Sequence, residues 1–192
     1  MTVVAGPFFA AAGLLGAAGA MKVVQPASTV EALRAARLPG SRSRRPIVER
    51  LIVGRVLGMV EVLIAVAAVV FGGRATAALL AAVYLGFALF TARLLHTAES
   101  GASCGCFGAE SSPAAPLHAV VNGGIALLAA SAVAWPTAGL ADVLRHQPLG
   151  GFPFLGLCAV FGWLLFAVLT ALPELQAAIA DVPARHARTT VR

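Results

Sequence analysis

Five apolar segments, each long enough to cross a bilayer, constrain the fold of this chain more than any other feature. They occupy residues 3–24, 51–71, 75–95, 117–135 and 152–172. A transmembrane helix needs about 20 mostly apolar residues, and a bilayer interior admits only helices or closed barrels. Because no alternating strand pattern is present, the sequence predicts an all-α, polytopic membrane helical bundle. A chain of 192 residues then has little length left for a soluble domain.

Composition supports this class and excludes several functions. Hydrophobic residues make up 59% of the chain and charged residues 11%, with a mean hydropathy of +0.90. The sequence has no Gly-rich phosphate loop and no Ser/His/Asp arrangement, which argues against a nucleotide-driven pump or a hydrolase. The net charge of +6 is better explained by topology and headgroup contact than by binding of nucleic acid.

The distribution of basic residues predicts the topology. The N-terminal leader, residues 1–7, has no basic residue, so we expect the first span to be a retained helix and not a cleaved signal. Successive spans alternate in direction, which brings the loops after spans 1 and 3 and the C-terminal tail to one membrane face. All but two of the fourteen Lys and Arg residues, Arg74 and Arg145, lie on or near that face. The positive-inside rule predicts that it is cytoplasmic.

The first loop contains an amphipathic segment at about residues 28–38. Ser28 and Thr29 are capping residues, Leu33 and Arg37 lie on adjacent turns, and Pro39-Gly40 stops the pattern. These signals predict a short interfacial helix. It would either anchor the chain at the headgroups or cover the next loop on the same face as a lid.

That next loop, residues 97–116, carries Cys104-Gly105-Cys106, two thiols at a membrane surface. Two residues of extended chain span about 7 Å at most, within the Cα separation of about 4.4–6.8 Å that a disulfide tolerates. The ring would be tight and easily reduced, which suits a redox pair better than a structural bridge. Nearby arginines would either favour the reactive thiolate or serve only to orient the protein in the membrane. Cys158, in span 5 near the opposite face, is interpreted as a buried small apolar residue.

Two alternatives to redox chemistry remain open for this loop. His96 and His118 flank the cysteines on the same face, and two thiolates with two imidazoles would suit Cu(I) or Zn(II). In the other alternative the Cys loop is structural and the protein is a non-catalytic assembly subunit.

Glu61 is the intramembrane residue that most needs an explanation, because a carboxylate in a span is costly unless it is neutralised or paired. Gly54 and Gly58 form a G-x-x-x-G surface for close helix approach, which predicts that Glu61 faces protein. Tyr84 lies at a similar depth, and Asn122 lies about one turn below the Cys loop. Glu61 and Tyr84 would bind the head of a membrane quinone or relay protons; alternatively, an interhelical hydrogen bond simply locks the bundle.

Several of these features together resemble the methylamine-utilisation protein MauE family, within the wider DoxX-like set of four-helix membrane proteins. They are Met21-Lys22-Val23-Val24-Gln25-Pro26 at the end of the first span, the Leu/Arg/Ala segment, the second span with its Glu, and Cys104-Gly105-Cys106-Phe107-Gly108. The resemblance covers about residues 5–135. It implies a four-helix core at 1–135, and residues 136–192 then add a fifth helix and a basic tail.

The resemblance also implies a function. It assigns redox roles to Cys104 and Cys106, with a thioredoxin-like partner, in forming disulfides in the small subunit of methylamine dehydrogenase, an exported protein. The expected location is the cell membrane. An exported substrate requires the cysteines outside, whereas the charge rule puts them inside unless the Arg-rich loop folds onto the bundle. The side of the membrane stays open on sequence grounds.

Overall fold

The computed structural model describes residues 4–36, 47–97 and 114–189. Within these ranges the chain forms α-helices and one short 3-10 helix, and no β-strand is present. The helices are α1 (Ala5–Val24), α2 (Ala27–Ala35), α3 (Ile47–Val70), α4 (Gly73–Thr97), α5 (Pro116–Ala134), α6 (Leu140–Arg145) and α7 (Phe152–Thr189), with the 3-10 turn at Pro148–Gly151.

Five helical segments are long and apolar enough to span a membrane, which confirms the predicted fold class. They are Ala5–Val24, Leu51–Val70, Gly73–Thr97, Pro116–Ala134 and Pro148–Pro173. Large apolar side chains point outward from them: Leu63, Leu127 and Trp163 are 66%, 75% and 66% exposed. Such a surface is stable only against lipid. The protein is therefore a multi-pass membrane protein.

α1 lies at the centre of the bundle and packs antiparallel to α3. Gly16 faces Ala65, and further along the same helix Gly19 faces Gly58. A Cβ added to Gly58 would lie 2.6 Å from the carbonyl oxygen of Gly19, so the two backbones are in direct contact. Gly54 contacts Pro26 in the same way. The predicted close-approach surface at Gly54 and Gly58 is confirmed.

The end of the bundle at the α3–α4 turn is closed by backbone contacts. Gly72 and Gly73 adopt φ values of 60° and 85°, which favour glycine. The Gly73 amide donates a 2.7 Å hydrogen bond to the Thr137 carbonyl, which ties this turn to the segment after α5. α6 and the 3-10 turn follow there. The sequence pattern does not predict these two elements, because each is too short to show a helical period.

The short helix predicted after the first span is present as α2 and packs onto the bundle. It spans Ala27–Ala35, close to the predicted 28–38, and Thr29, Val30 and Ala32 on it are buried. The predicted stop at Pro39-Gly40 lies outside the described residues.

α7 continues well past the predicted span. Its 38 residues correspond to about 57 Å at about 1.5 Å per residue, against a hydrocarbon core of about 30 Å. The residue types of segment 174–181 are strong helix formers, which explains why the helix does not end with the apolar run. α7 runs parallel to α1, since Phe154 lies near Gly6 while Leu169 clusters with Leu14.

Candidate functional site

Cys104 and Cys106 lie outside the described residues, in the segment between α4 and α5. The described chain ends at Thr97 on one side and resumes at Ala114 on the other. Both flanking helix ends lie on one membrane face, which we name the Cys-loop face.

α2 is fixed to the Cys-loop face by hydrogen bonds to the last turns of α4. Arg93 Nε donates to the Ala36 carbonyl at 3.0 Å, and Thr97 Oγ1 contacts the Ala35 carbonyl at 3.5 Å. The C-terminal end of α2 therefore lies beside the start of the Cys-bearing segment. This position is compatible with the lid interpretation of α2, which stays a prediction.

Glu61 is neutralised by Lys22. The Lys22 ammonium donates to Glu61 Oε1 at 2.7 Å and to Oε2 at 2.6 Å. The two side chains are only 3% and 2% exposed. Lys22 also lies over the ring of Phe87, with Nζ 4.6 Å from the centroid. The prediction that Glu61 faces protein is thus correct, and its partner is a cation contributed by α1.

Sequence reasoning placed Lys22 among the surface cations and missed this pairing. The structure removes it from the basic surface, because it is buried and balanced by a carboxylate. A signal was available: a charge within or at the end of an apolar span needs an opposite charge in a neighbouring helix. Lys22 and Glu61 meet that need because α1 and α3 are antiparallel and in contact.

A pocket of about 290 Å³ lies beside this ion pair, between α2, α3 and α4. We name it the Lys22 pocket. Its accessible walls are formed by apolar atoms, and its lining residues are Lys22, Thr29, Ala32, Leu33, Leu57, Val60, Glu61, Val83, Gly86, Phe87 and Phe90. Because Leu57, Val60 and Gly86 are exposed, the pocket opens on the lipid-facing surface.

Tyr84 and Asn122 are brought together at a second cavity, which Glu61 does not line. Both line a cavity of about 20 Å³ that also contacts His118. The Tyr84 hydroxyl donates to the Ala11 carbonyl at 2.8 Å. A cavity of this size holds about one water molecule. The structure therefore separates the polar residues into two sites, and Tyr84 does not line the Lys22 pocket.

His118 has a structural role at the start of α5. Its Nδ1 accepts the Ala115 amide at 3.2 Å, so the ring proton lies on Nε2, which donates to the Leu169 carbonyl at 2.8 Å. Pro173, four residues later in α7, has no N–H to donate to that carbonyl. His118 thus replaces the missing helical hydrogen bond and joins α5 to α7.

The two histidines of the metal alternative differ in environment. His96 is exposed, whereas His118 is fully buried with both ring nitrogens in hydrogen bonds. Among the described residues no group of three or more His, Cys, Asp or Glu side chains is placed to hold a metal. Metal binding by His118 would require at least one of its two hydrogen bonds to break.

Cys158 is half-buried, not fully buried as predicted, and its Sγ lies 3.5 Å from the Gly6 carbonyl. It lines an open cleft of about 770 Å³ between α1, α6 and α7. This cleft is at the opposite end of the bundle from the Cys-loop face.

The fold and these sites define a small multi-pass membrane protein with a buried intramembrane ion pair, and its sequence carries a Cys-x-Cys motif between α4 and α5. The sequence model described as "Methylamine utilisation protein MauE" matches residues 1–136, and the chain belongs to this family. The match covers α1 to α5 and ends just after α5. No curated protein and no solved structure matches the chain.

Proposed function

We propose that this protein is a membrane thiol-disulfide redox factor that supports disulfide formation in a partner protein. The observation that carries the proposal is the family match, which extends over residues 1–136 and includes the Cys104-Gly105-Cys106 segment. The family description names methylamine utilisation, so the maturation of a methylamine-oxidising enzyme in the cell membrane is the proposed context.

The proposed reaction is thiol-disulfide exchange. The oxidised pair, Cys104 bonded to Cys106, is attacked by a thiolate of a thioredoxin-like carrier, which forms a mixed disulfide and releases one thiolate. The second carrier thiol then displaces the remaining cysteine. The carrier gains a disulfide, the pair gains two electrons as two thiols, and the carrier passes its disulfide to the substrate protein.

The surroundings of the described loop ends support a reactive dithiol. Arg93 lies one turn before Thr97, where the described part of α4 ends, and Arg34 is exposed on α2 at the same face. Guanidinium groups near a thiol favour the thiolate, the form that attacks disulfides. Arg93 donates a hydrogen bond to the Ala36 carbonyl at the end of α2, so both charges lie on the Cys-loop face, which supports the proposal.

Trapping of the mixed disulfide tests this function. In a single-cysteine variant the remaining thiolate can attack the disulfide of the oxidised carrier, which forms a mixed disulfide and releases one carrier thiolate, and this protein then has no second thiol to displace the carrier. We expect Cys104→Ser or Cys106→Ser to give a covalent adduct with a thioredoxin-like protein that disappears on reduction. The matched control is Cys158→Ser, which retains the pair. If neither single variant forms an adduct and both support substrate maturation, the proposal is wrong.

A further inference from the structure

The open cleft between α1, α6 and α7, which we name the α6 cleft, has the size of a ligand site. Its volume of about 770 Å³ lies well inside the range of about 300–1,000 Å³ found for small-molecule sites. The family match ends at residue 136, so α6 and α7 lie beyond it and only α1 lies within it. The cleft therefore forms where the additional part of this chain packs on the family core, and it is independent of the dithiol function proposed above.

Exposed aromatic residues place the mouth of this cleft at the membrane interface. Phe71 follows α3, Trp135 follows α5 and Phe152 begins α7, and all three are exposed. Trp side chains are enriched where a membrane meets water. The Asp142 and Arg145 side chains of α6 are 61% and 75% exposed, and such charges are costly in hydrocarbon. Helix α6 therefore lies at the level of the lipid headgroups.

The apolar part of the cleft runs about one leaflet deep. Along α7 its lining extends from Phe154 to Leu164, which is about 15 Å at about 1.5 Å per residue. That length is half of a hydrocarbon core of about 30 Å. Leu157, Val160 and Leu164 in this wall are exposed, so the cleft is open to lipid along its length. A groove of this length and polarity suits one acyl chain of a lipid in that leaflet.

The polar end of the cleft offers hydrogen-bond acceptors. Asp142, His146 and Gln147 line it. Asp142 Oδ1 accepts a 3.0 Å hydrogen bond from Arg145, and an ionised carboxylate has further lone pairs to offer. His146 Nδ1 lies 2.8 Å from the Asp142 carbonyl oxygen and donates to it, so Nε2 of the neutral ring is an acceptor. Two acceptors one helical turn apart suit a ligand head with several N–H donors.

The charges beside the mouth favour a zwitterionic head. Asp142 and Arg145 form an exposed ion pair, and because such pairs contribute little to stability, a ligand with both charges can replace the partner of each. A primary ammonium would donate to Asp142 and His146, and a phosphate would accept from Arg145. A trimethylammonium head has no N–H to donate, and a head with a phosphate alone would bring a second negative charge to Asp142.

We propose that the α6 cleft binds a phospholipid with a primary-ammonium head, such as phosphatidylethanolamine. One acyl chain lies along α7, the ammonium contacts Asp142 and His146, and the phosphate contacts Arg145. The bound lipid fills the space between α1 and α7 in one leaflet, and it joins the additional helix to the family core.

Competition among three phospholipids with identical acyl chains tests the choice of head. Full-length protein, delipidated in detergent, is mixed with equal amounts of the ethanolamine, choline and glycerol lipids, and native mass spectrometry counts the lipid retained. We expect one ethanolamine lipid per protein, retained about tenfold or more over either competitor. Asp142→Asn should reduce this preference to about twofold or less. The matched control is Glu31→Gln, which changes an exposed acid on α2 and should keep the preference.

Three outcomes of this competition would overturn the proposal. They are equal retention of the three lipids by the wild type, a preference for the choline or the glycerol lipid, and an ethanolamine preference that Asp142→Asn leaves unchanged. Because the Asp142 side chain is exposed, this variant is expected to fold, and its melting temperature is measured alongside.

Two glycines of α1 test the apolar part of the cleft. A Cβ added to Gly6 would lie at an ordinary contact distance of 3.8 Å from Phe154, and Gly6 lines the cleft, so Gly6→Leu puts a side chain into it. Gly13→Leu is the matched control, because Gly13 is open and does not line the cleft. We expect only Gly6→Leu to lose the lipid. Equal retention in both folded variants, or displacement of the lipid by soluble phosphoethanolamine, would overturn the assignment.

Discussion

Lys22 of α1 and Glu61 of α3 form an ion pair that is almost fully buried, with both carboxylate oxygens within 2.7 Å of the ammonium. The glycines around it make the pair possible. Because Gly19 and Gly58 bring the two backbones into contact, a lysine at the end of one span reaches a glutamate well inside the other. The pair explains how a span with a carboxylate is stable in lipid.

Breaking one side of this pair should destabilise the protein strongly. Lys22→Met or Glu61→Met leaves one buried charge without a partner, at a cost of about 3–5 kcal/mol. The double variant removes both charges, so we expect it to recover much of the stability. Thermal unfolding of the purified protein in detergent measures each step. Arg145→Met is the control, because its pair with Asp142 is exposed. Additive losses in the double variant would contradict the pairing.

The contact between α1 and α3 should not tolerate a methyl group. In Gly58→Ala the new Cβ would lie 2.6 Å from the Gly19 carbonyl oxygen. Overpacking of this kind costs about 1–3 kcal/mol. Gly123→Ala on α5 is the control, since nothing lies within 4 Å of its added Cβ. We expect the melting temperature to fall only for Gly58→Ala, and an equal response of the two variants would mean that the helices are not in contact here.

Tyr84 should matter for stability and not for turnover. Tyr84→Phe removes the hydrogen bond to the Ala11 carbonyl, worth about 0.5–1.5 kcal/mol. Because Tyr84 is buried and its hydroxyl is bonded to the backbone of α1, we expect thiol-disulfide exchange at Cys104 and Cys106 to stay at the wild-type rate. A large loss of rate in a variant that remains folded would restore the earlier hypothesis that Tyr84 binds the quinone head or relays protons.

His118 and Pro173 should be energetically coupled. His118→Ala leaves the Leu169 carbonyl without its side-chain donor, which costs about 1–3 kcal/mol. In a Pro173→Ala background the helix regains its own donor for that carbonyl, so the same His118→Ala change should cost less. A double-mutant cycle on thermal unfolding measures the difference. Equal costs in both backgrounds would show that the proline does not create the need for the histidine.

The metal alternative is tested by the same histidine. We expect His96→Ala to be nearly silent, since His96 is exposed. Metal analysis of the purified wild type should give no stoichiometric copper or zinc. Stoichiometric metal that is lost in both His96→Ala and His118→Ala would instead support a metal-handling protein.

The sequence predicted the spans well because hydropathy and length alone determine which segments enter a bilayer. Each predicted span overlaps an observed helix, and the Gly54/Gly58 surface was recognised by its spacing. The short helix α6 and the extension of α7 were not predicted, since neither is marked by an apolar run. α7 also continues through Pro173, although a proline inside a helical pattern usually ends the helix. The donor that replaces its missing N–H is His118 of α5, which is far away in the sequence.

The polar sites were predicted in part. Counting residues along the spans placed Glu61 and Tyr84 at a similar depth in the membrane. Depth does not determine the direction in which each side chain points from its helix. Glu61 faces Lys22 and the pocket, while Tyr84 faces α1 and the small cavity with Asn122. Which side chains meet depends on the rotation of each helix, and a single sequence does not encode that rotation in any local pattern.

The redox state of Cys104 and Cys106 tests the central claim most directly. Intact cells of a Cys158→Ala strain are treated with a membrane-impermeant maleimide before and after mild reduction, and again after permeabilisation. We predict that both cysteines resist labelling until they are reduced, because they form a disulfide during turnover, and the need for permeabilisation then reports the side of the membrane. Full labelling of both cysteines without prior reduction would contradict the redox function.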